Sequence, residues 1–142
     1  MSGSSRSRTS TSRSSPARSW GSNERPSRLT AGRRALGARG ERLAAQWYER
    51  NGHEVLDRNW RCRDGELDIV ASCGDTIVFI EVKTRSSTAY GSPAAAVGAA
   101  KQRRIRRLAV LWLRDRGLHA VDLRFDVVAV IGNEIEVTRS AF

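Results

Sequence analysis

Lysine is almost absent from this chain of 142 residues: of 25 Lys+Arg positions, only Lys83 and Lys101 are lysines. A preference for arginine on this scale is what a GC-rich genome produces. Cysteine and histidine are equally sparse, at Cys62, Cys73, His53 and His119. Their spacing matches no zinc signature, which excludes a thiolate metal site and a Cys/His nucleophile. No run of about twenty apolar residues is present, which excludes a transmembrane helix. The first residues lack the apolar stretch of a signal peptide. No glycine loop is built to cradle phosphate, and no internal repeat occurs. The expectation is a cytoplasmic protein with no membrane partner and with its cysteines reduced.

What is abundant is arginine, and it is unevenly placed. Up to Leu36 the chain has eight arginines and one glutamate, against 17 basic and 14 acidic residues in the remainder. Residues 1–32 are dominated by Ser and Arg, with Pro16 and Pro26 and almost no aliphatic side chains. Such a segment cannot bury enough apolar surface to offset its ordering entropy and is expected to be disordered. It either adds nonspecific affinity for nucleic acid by counterion release or is an extension without a selected role. Residues 33–142 form one mildly basic domain.

Within that domain Leu36–Arg50 reads as a helix, with Leu36, Leu43 and Trp47 as its apolar stripe and Ala44 and Tyr48 beside it. His53–Arg61 reads as a strand. Glu66–Cys73 and Thr76–Arg85 read as two more, joined at Gly74-Asp75, where a leading glycine suits a type II′ turn. Ser92-Pro93 resembles a helix start. That helix runs to Arg116 with a break at Gly98, and buries Ile105, Leu108, Ala109 and Trp112. Ala120–Ile131 and Glu134–Thr138 are the last strands, turned at Gly132-Asn133. The order is α-β-β-β-α-β-β, an α/β domain with a mixed sheet of about five strands flanked by helices.

The turn at Gly74-Asp75 sets a register in which partner numbers sum to 149. Asp68 then falls opposite Glu81, and Glu66 opposite Lys83. Carboxylates placed opposite one another repel and weaken a sheet. A hard cation such as Mg²⁺ or Mn²⁺ removes that penalty. Lys83 stands out in a chain that otherwise uses arginine. A compact ammonium can hold a water or a phosphoryl oxygen in a way that a planar guanidinium does not. The structural alternative is a wet strand face on which Glu66 and Lys83 form a cross-strand ion pair.

The helices add polar groups. Glu41 lies beside the buried stripe of the first helix, and Gln102 lies one turn before Ile105 on the second. Arg103, Arg106, Arg107 and Arg114 line the outer face of that second helix, either as a solvated face or as a surface for a phosphate backbone. Asp126 is a lesser candidate, more simply a structural ion pair with a neighbouring arginine.

A helical Glu, then Gly65-Glu66-Leu67-Asp68, then Glu81-Val82-Lys83, then a helical Gln, resembles the PD-(D/E)xK nuclease superfamily. More narrowly, residues 33–140 resemble the uncharacterised bacterial YraN-like family. The matching stretches are residues 37–41, 65–70, 79–85, 90–91, 101–105 and 124–128. The resemblance implies a restriction-endonuclease-like core close to that of Holliday junction resolvases. It implies that Asp68 and Glu81 hold Mg²⁺ or Mn²⁺ and that Lys83 orients the attacking water or stabilises the phosphorane. Glu41 would assist the metal or its water, and Gln102 would position neighbouring groups. The proline that names the superfamily is missing, with Leu67 before Asp68.

The expected function is metal-dependent hydrolysis of DNA phosphodiesters, branched or structured DNA included. Glu66, Arg85 and Asp126 are secondary candidates, and Arg103, Arg106 and Arg107 are expected on the nucleic acid. A resolvase-like activity would favour a homodimer. The alternative is a noncatalytic nucleic-acid-binding protein that retains the nuclease fold.

Overall fold

Five strands that follow one another along the chain also follow one another in space. In a computed structural model that describes residues 28–85, 94–119 and 122–142, the sheet order is β1-β2-β3-β4-β5. The elements are α1 (Arg28–Arg50), β1 (Glu54–Cys62), β2 (Gly65–Cys73) and β3 (Thr76–Arg85). They continue with a short 3₁₀ turn (Ala94–Ala96), α2 (Ala99–Asp115), β4 (Asp122–Ile131) and β5 (Glu134–Thr138). Neighbouring strands run antiparallel except β3 and β4, which are parallel. A parallel pair needs a crossover, and α2 supplies it. This is the mixed five-stranded sheet, in the expected order, of a restriction-endonuclease-like core.

The hairpin turn is the one the sequence implies. Gly74 has φ 59° while Asp75 is not left-handed, and Cys73 pairs with Thr76. Partner numbers sum to 149 through Ile69↔Ile80, and there the ladder stops. β2 stays paired with β1 as far as Gly65, while β3 stays paired with β4 as far as Arg85. The sheet therefore forks beyond Ile69 and Ile80. Glu66 does not pair with Lys83; it is the strand partner of Arg61, whose Nε lies 3.3 Å from its carboxylate. The alternation of β2 also breaks at the fork. Ile69 and Ala71 join one core cluster, but Leu67 joins the other together with Val70. Asn59 of β1, between the pairs Arg58↔Ile69 and Trp60↔Leu67, adopts φ 52° at the same level. Asn is among the few residues that tolerate this conformation.

Each face of the sheet carries one helix. α2 packs Ile105, Leu108, Ala109 and Trp112 against Leu67, Val70, Ile77, Phe79 and Val127. α1 packs Ala44, Ala45 and Tyr48 against Ile69, Ala71, Val78, Ile80, Val128 and Val130. The buried line of α1 is thus Gly40–Ala44–Tyr48, spaced by four. Leu36 is 44% exposed, and Leu43 and Trp47 pack only at the cluster's margin, so the expected stripe is displaced around the helix. Small residues win because the helix lies close to the sheet. A Cβ at Gly40 would collide with the Thr84 hydroxyl on β3.

α1 begins at Arg28, inside the segment read as a tail; residues 1–27 and the helix start at Ser92-Pro93 lie outside the described residues. The break at Gly98 is present, with Gly98 as N-cap of α2. Cys62 and Cys73 are unbonded. Among the described residues no helix is long and apolar enough to cross a membrane.

Candidate metal centre

The fork places chemistry from both faces of the sheet in one opening. Where β2 and β3 part, Val82 has no ladder partner on β2, and its N–H donates instead to Asp68 Oδ2 at 2.9 Å. Asp68 is thereby fixed by backbone, and it also shares a hydrogen bond with the Glu81 side chain. α1 enters from one side, brought close by Gly40, and delivers Glu41. Carboxylate oxygens of Glu41, Glu66 and Asp68 lie within 4.8 Å of one another. From the other side the first turn of α2 delivers Lys101, which ion-pairs with Oε1 of Glu81. Lys83 Nζ lies 3.6 Å from the same oxygen. All of these except Glu66, with Arg33, Leu36, Gly37, Val82 and Thr84, line a cleft of about 510 Å³.

The charges are strongly coupled. The Asp68 carboxyl is pushed up to about 8, first by burial and then by the negative charge of Glu81. The Val82 N–H opposes the shift but does not cancel it. Glu41 is raised as well, by burial and by the charges of Glu66 and Glu81, against a hydrogen bond from Asn59. Burial and the adjacent Lys101 lower the pKa of Lys83. Burial also opposes charge on Lys101, but its hydrogen bond and ion pair with Glu81 outweigh that and raise its pKa.

Three carboxylates this close repel unless protons or a cation intervene. A divalent ion with oxygen ligands at about 2.0–2.6 Å can sit among oxygens so spaced. The donor set, all hard oxygen, suits Mg²⁺ or Mn²⁺. The residues present therefore fit such an ion. Asp68 belongs both to the expected pair with Glu81, with which it shares a hydrogen bond, and to the observed trio with Glu41 and Glu66.

Gln102 donates from Nε2 to the Val97 carbonyl at 3.0 Å, across the break that precedes α2. Arg85 lines a neighbouring hollow with Lys83 and Thr84. Asp126 is fully buried and lies away from the cleft. It accepts from Tyr48 Oη at 2.7 Å, from Arg124 Nε at 2.9 Å and from the Ser140 N–H at 3.0 Å. It is a structural brace, ion-paired with a neighbouring arginine. Arg103, Arg106 and Arg107 are exposed on α2, and the Arg106 guanidinium lies over the Phe125 and Phe142 rings.

Sequence reasoning missed Lys101 and Asn59. The rarity that singled out Lys83 applied equally to Lys101. An Asn inside a strand, where it is disfavoured, was the signal for Asn59.

A family model described as "Uncharacterised protein family UPF0102" matches residues 40–130. A UPF0102 protein of Rhodococcus jostii is 58% identical over 113 residues, covering 76% of this chain and 96% of that protein. One from Beutenbergia cavernae is 58% identical over 97 residues, covering 68% and 82%. One from Geobacter sulfurreducens is 53% identical over 95 residues, covering 67% and 74%.

Proposed function

The chain belongs to the UPF0102 family, the YraN-like group related to the PD-(D/E)xK nucleases, and from that premise we propose that it hydrolyses phosphodiester bonds of DNA with a divalent cation. One observation carries the reading. Glu41, Glu66 and Asp68 bring carboxylate oxygens within 4.8 Å of one another, and two of them, Glu41 and Asp68, line one cleft with Lys83 and Lys101. Glu41, Glu66 and Asp68 would hold Mg²⁺ or Mn²⁺, with Glu81 beside them. Bound there, the ion would polarise the scissile phosphate and acidify a water.

The chain's own groups do the rest. Lys83, half-buried and tied to Glu81, presents a positive charge where negative charge develops in the transition state. Lys101, adjacent to Lys83, ion-pairs with the same Glu81 oxygen, so that oxygen is oriented before substrate arrives. The Val82 N–H fixes Asp68 in the same way. The cleft is open, so a polymer can enter it from the surface.

The test is a cleavage assay in Mg²⁺ and in Mn²⁺ on single-stranded, duplex, flapped and four-way-junction DNA, with RNA alongside. Asp68→Asn should abolish cleavage. Lys83→Met should lower it about 100- to 1000-fold, the cost of removing one transition-state donor, while its circular dichroism and melting stay native. Undiminished cleavage by both variants would reject this assignment. Binding without cleavage of any substrate would favour the noncatalytic alternative.

A further inference from the structure

The cleft does not end at the carboxylates. A second one, of about 600 Å³, begins on the other side of Glu41 and has Arg34, Arg61 and Glu66 among its walls. Gly37 and Glu41 line both. Successive residues of a helix point about 100° apart, and the adjacent Arg33 and Arg34 accordingly serve different clefts. Neither forms an ion pair with another described residue. Gly37, at the joint, faces open space: apart from its chain neighbours and its own helix backbone, no atom lies within 4 Å of where its Cβ would be. Arg33, Arg34 and Gly37 all precede the segment matched by the family model.

We propose that the two clefts form one channel for a single polynucleotide strand, which passes along the Gly37–Glu41 face of α1 with Arg34 and Arg33 holding phosphates on either side of the carboxylates. The inference rests on the nucleic-acid reading above and names its substrate as single-stranded. Each compartment has the volume of a small-ligand pocket, which suits one strand. A double helix would rest on the rims. Among the described residues no aromatic side chain lines either cleft, so these walls offer no platform for the base stacking that single-strand binders use. The grip is on phosphate, independent of sequence and sensitive to salt.

The experiment is fluorescence anisotropy of the full chain with a labelled single-stranded DNA and a blunt duplex of the same length, in EDTA over a range of salt. EDTA removes cleavage from the readout, and the repulsion from the carboxylates is common to all variants. The parent should prefer the single strand. Each phosphate contact contributes about 0.7 to the salt slope of single-strand binding. The R33Q/R34Q double variant should therefore lose about 1.4 from the slope and roughly 25-fold in affinity at 0.1 M salt relative to 1 M. Gly37→Leu is the discriminating variant. It replaces a helix-interior glycine in open space, so its melting temperature should rise, yet it fills the joint and should weaken single-strand binding at least tenfold. Equal or tighter binding of the duplex would overturn the proposal, as would parent-like binding by Gly37→Leu and the double variant. So would a loss confined to an R103Q/R107Q variant of α2. Cleavage with none of these effects leaves metal-dependent hydrolysis standing and removes the channel. The effects without cleavage in Mg²⁺ leave the channel and remove hydrolysis.

Discussion

Burial and a neighbouring carboxylate keep the proton on Asp68 up to about pH 8, whereas an aspartate in an unfolded chain loses it near 3.9. Between those values the folded state holds more protons than the unfolded one, so stability falls as pH rises. The metal-free protein should melt progressively lower from about pH 4 to about pH 8. Asp68→Asn should flatten that dependence and raise the melting temperature at the alkaline end. Differential scanning fluorimetry across the pH range checks both, and a parent profile unchanged by the substitution would count against the site's electrostatics. A cation that binds only the folded protein adds about 2.7 kcal/mol at a hundred times its Kd. It displaces the Asp68 proton, so Mg²⁺ should raise the melting temperature more at pH 8 than at pH 6.

At the scale of elements, the decisive contact is α1 on β3. Gly40 allows it, and the helix then delivers Glu41 one residue later to the fork. Arg39 fastens the same turn of helix to the far hairpin by donating to the Gly132 carbonyl at 2.8 Å and to the Asn133 side chain. Gly40→Ala should cost about 1–3 kcal/mol through overpacking against the Thr84 hydroxyl. Thr84→Ala removes that hydroxyl, so in its background the cost of Gly40→Ala should largely vanish. Denaturant unfolding of the four proteins of the cycle measures the coupling. Additive effects would show that α1 is held off the sheet by something other than this pair.

Across the whole molecule, two polar assemblies divide the labour. The fork gathers charges at the surface, where burial is incomplete and ligands can reach them. About two helical turns further along α1, Tyr48 donates to Asp126, which also accepts from Arg124 and from the Ser140 N–H. Arg124 in turn contacts His53 Nε2 at 2.9 Å. A guanidinium only donates, so that nitrogen must accept, and Nδ1–H is left to donate to the Asn51 carbonyl at 3.0 Å. This network ties α1, the entry to β1, β4 and the chain's last turn together. Asp126→Ala leaves Arg124 without its buried partner and should destabilise by about 3–5 kcal/mol. Tyr48→Phe should cost about 1–3 kcal/mol. Urea unfolding gives both numbers, and a fully folded Tyr48→Phe protein should retain the parent's cleavage rate. A stability loss of less than 1 kcal/mol for Asp126→Ala would refute the bracing role.

The elements, their order, the type of the Gly74-Asp75 turn and the register as far as Ile69↔Ile80 were legible in the chain, because these depend on periodicity and local backbone preference; the expected pairs Asp68–Glu81 and Glu66–Lys83 lie beyond the ladder's end. The sequence also exposed Asp68, Glu81 and Lys83, since charged groups on a strand of β-branched and aromatic neighbours are visible one residue at a time. Where the ladder ends, and with it that Glu66 turns to Arg61 and joins Glu41 and Asp68, depends on the assembled fold. A fork in a sheet depends on what both helices press against it, which no single segment encodes. The buried face of α1 was hidden for a related reason. Close approach selects the small side chains of Gly40 and Ala44 over the larger Leu36, and closeness is a property of two elements. Lys101 reached Glu81 because the crossover helix must begin where β3 ends, a consequence of parallel pairing that appears only when the sheet is assembled.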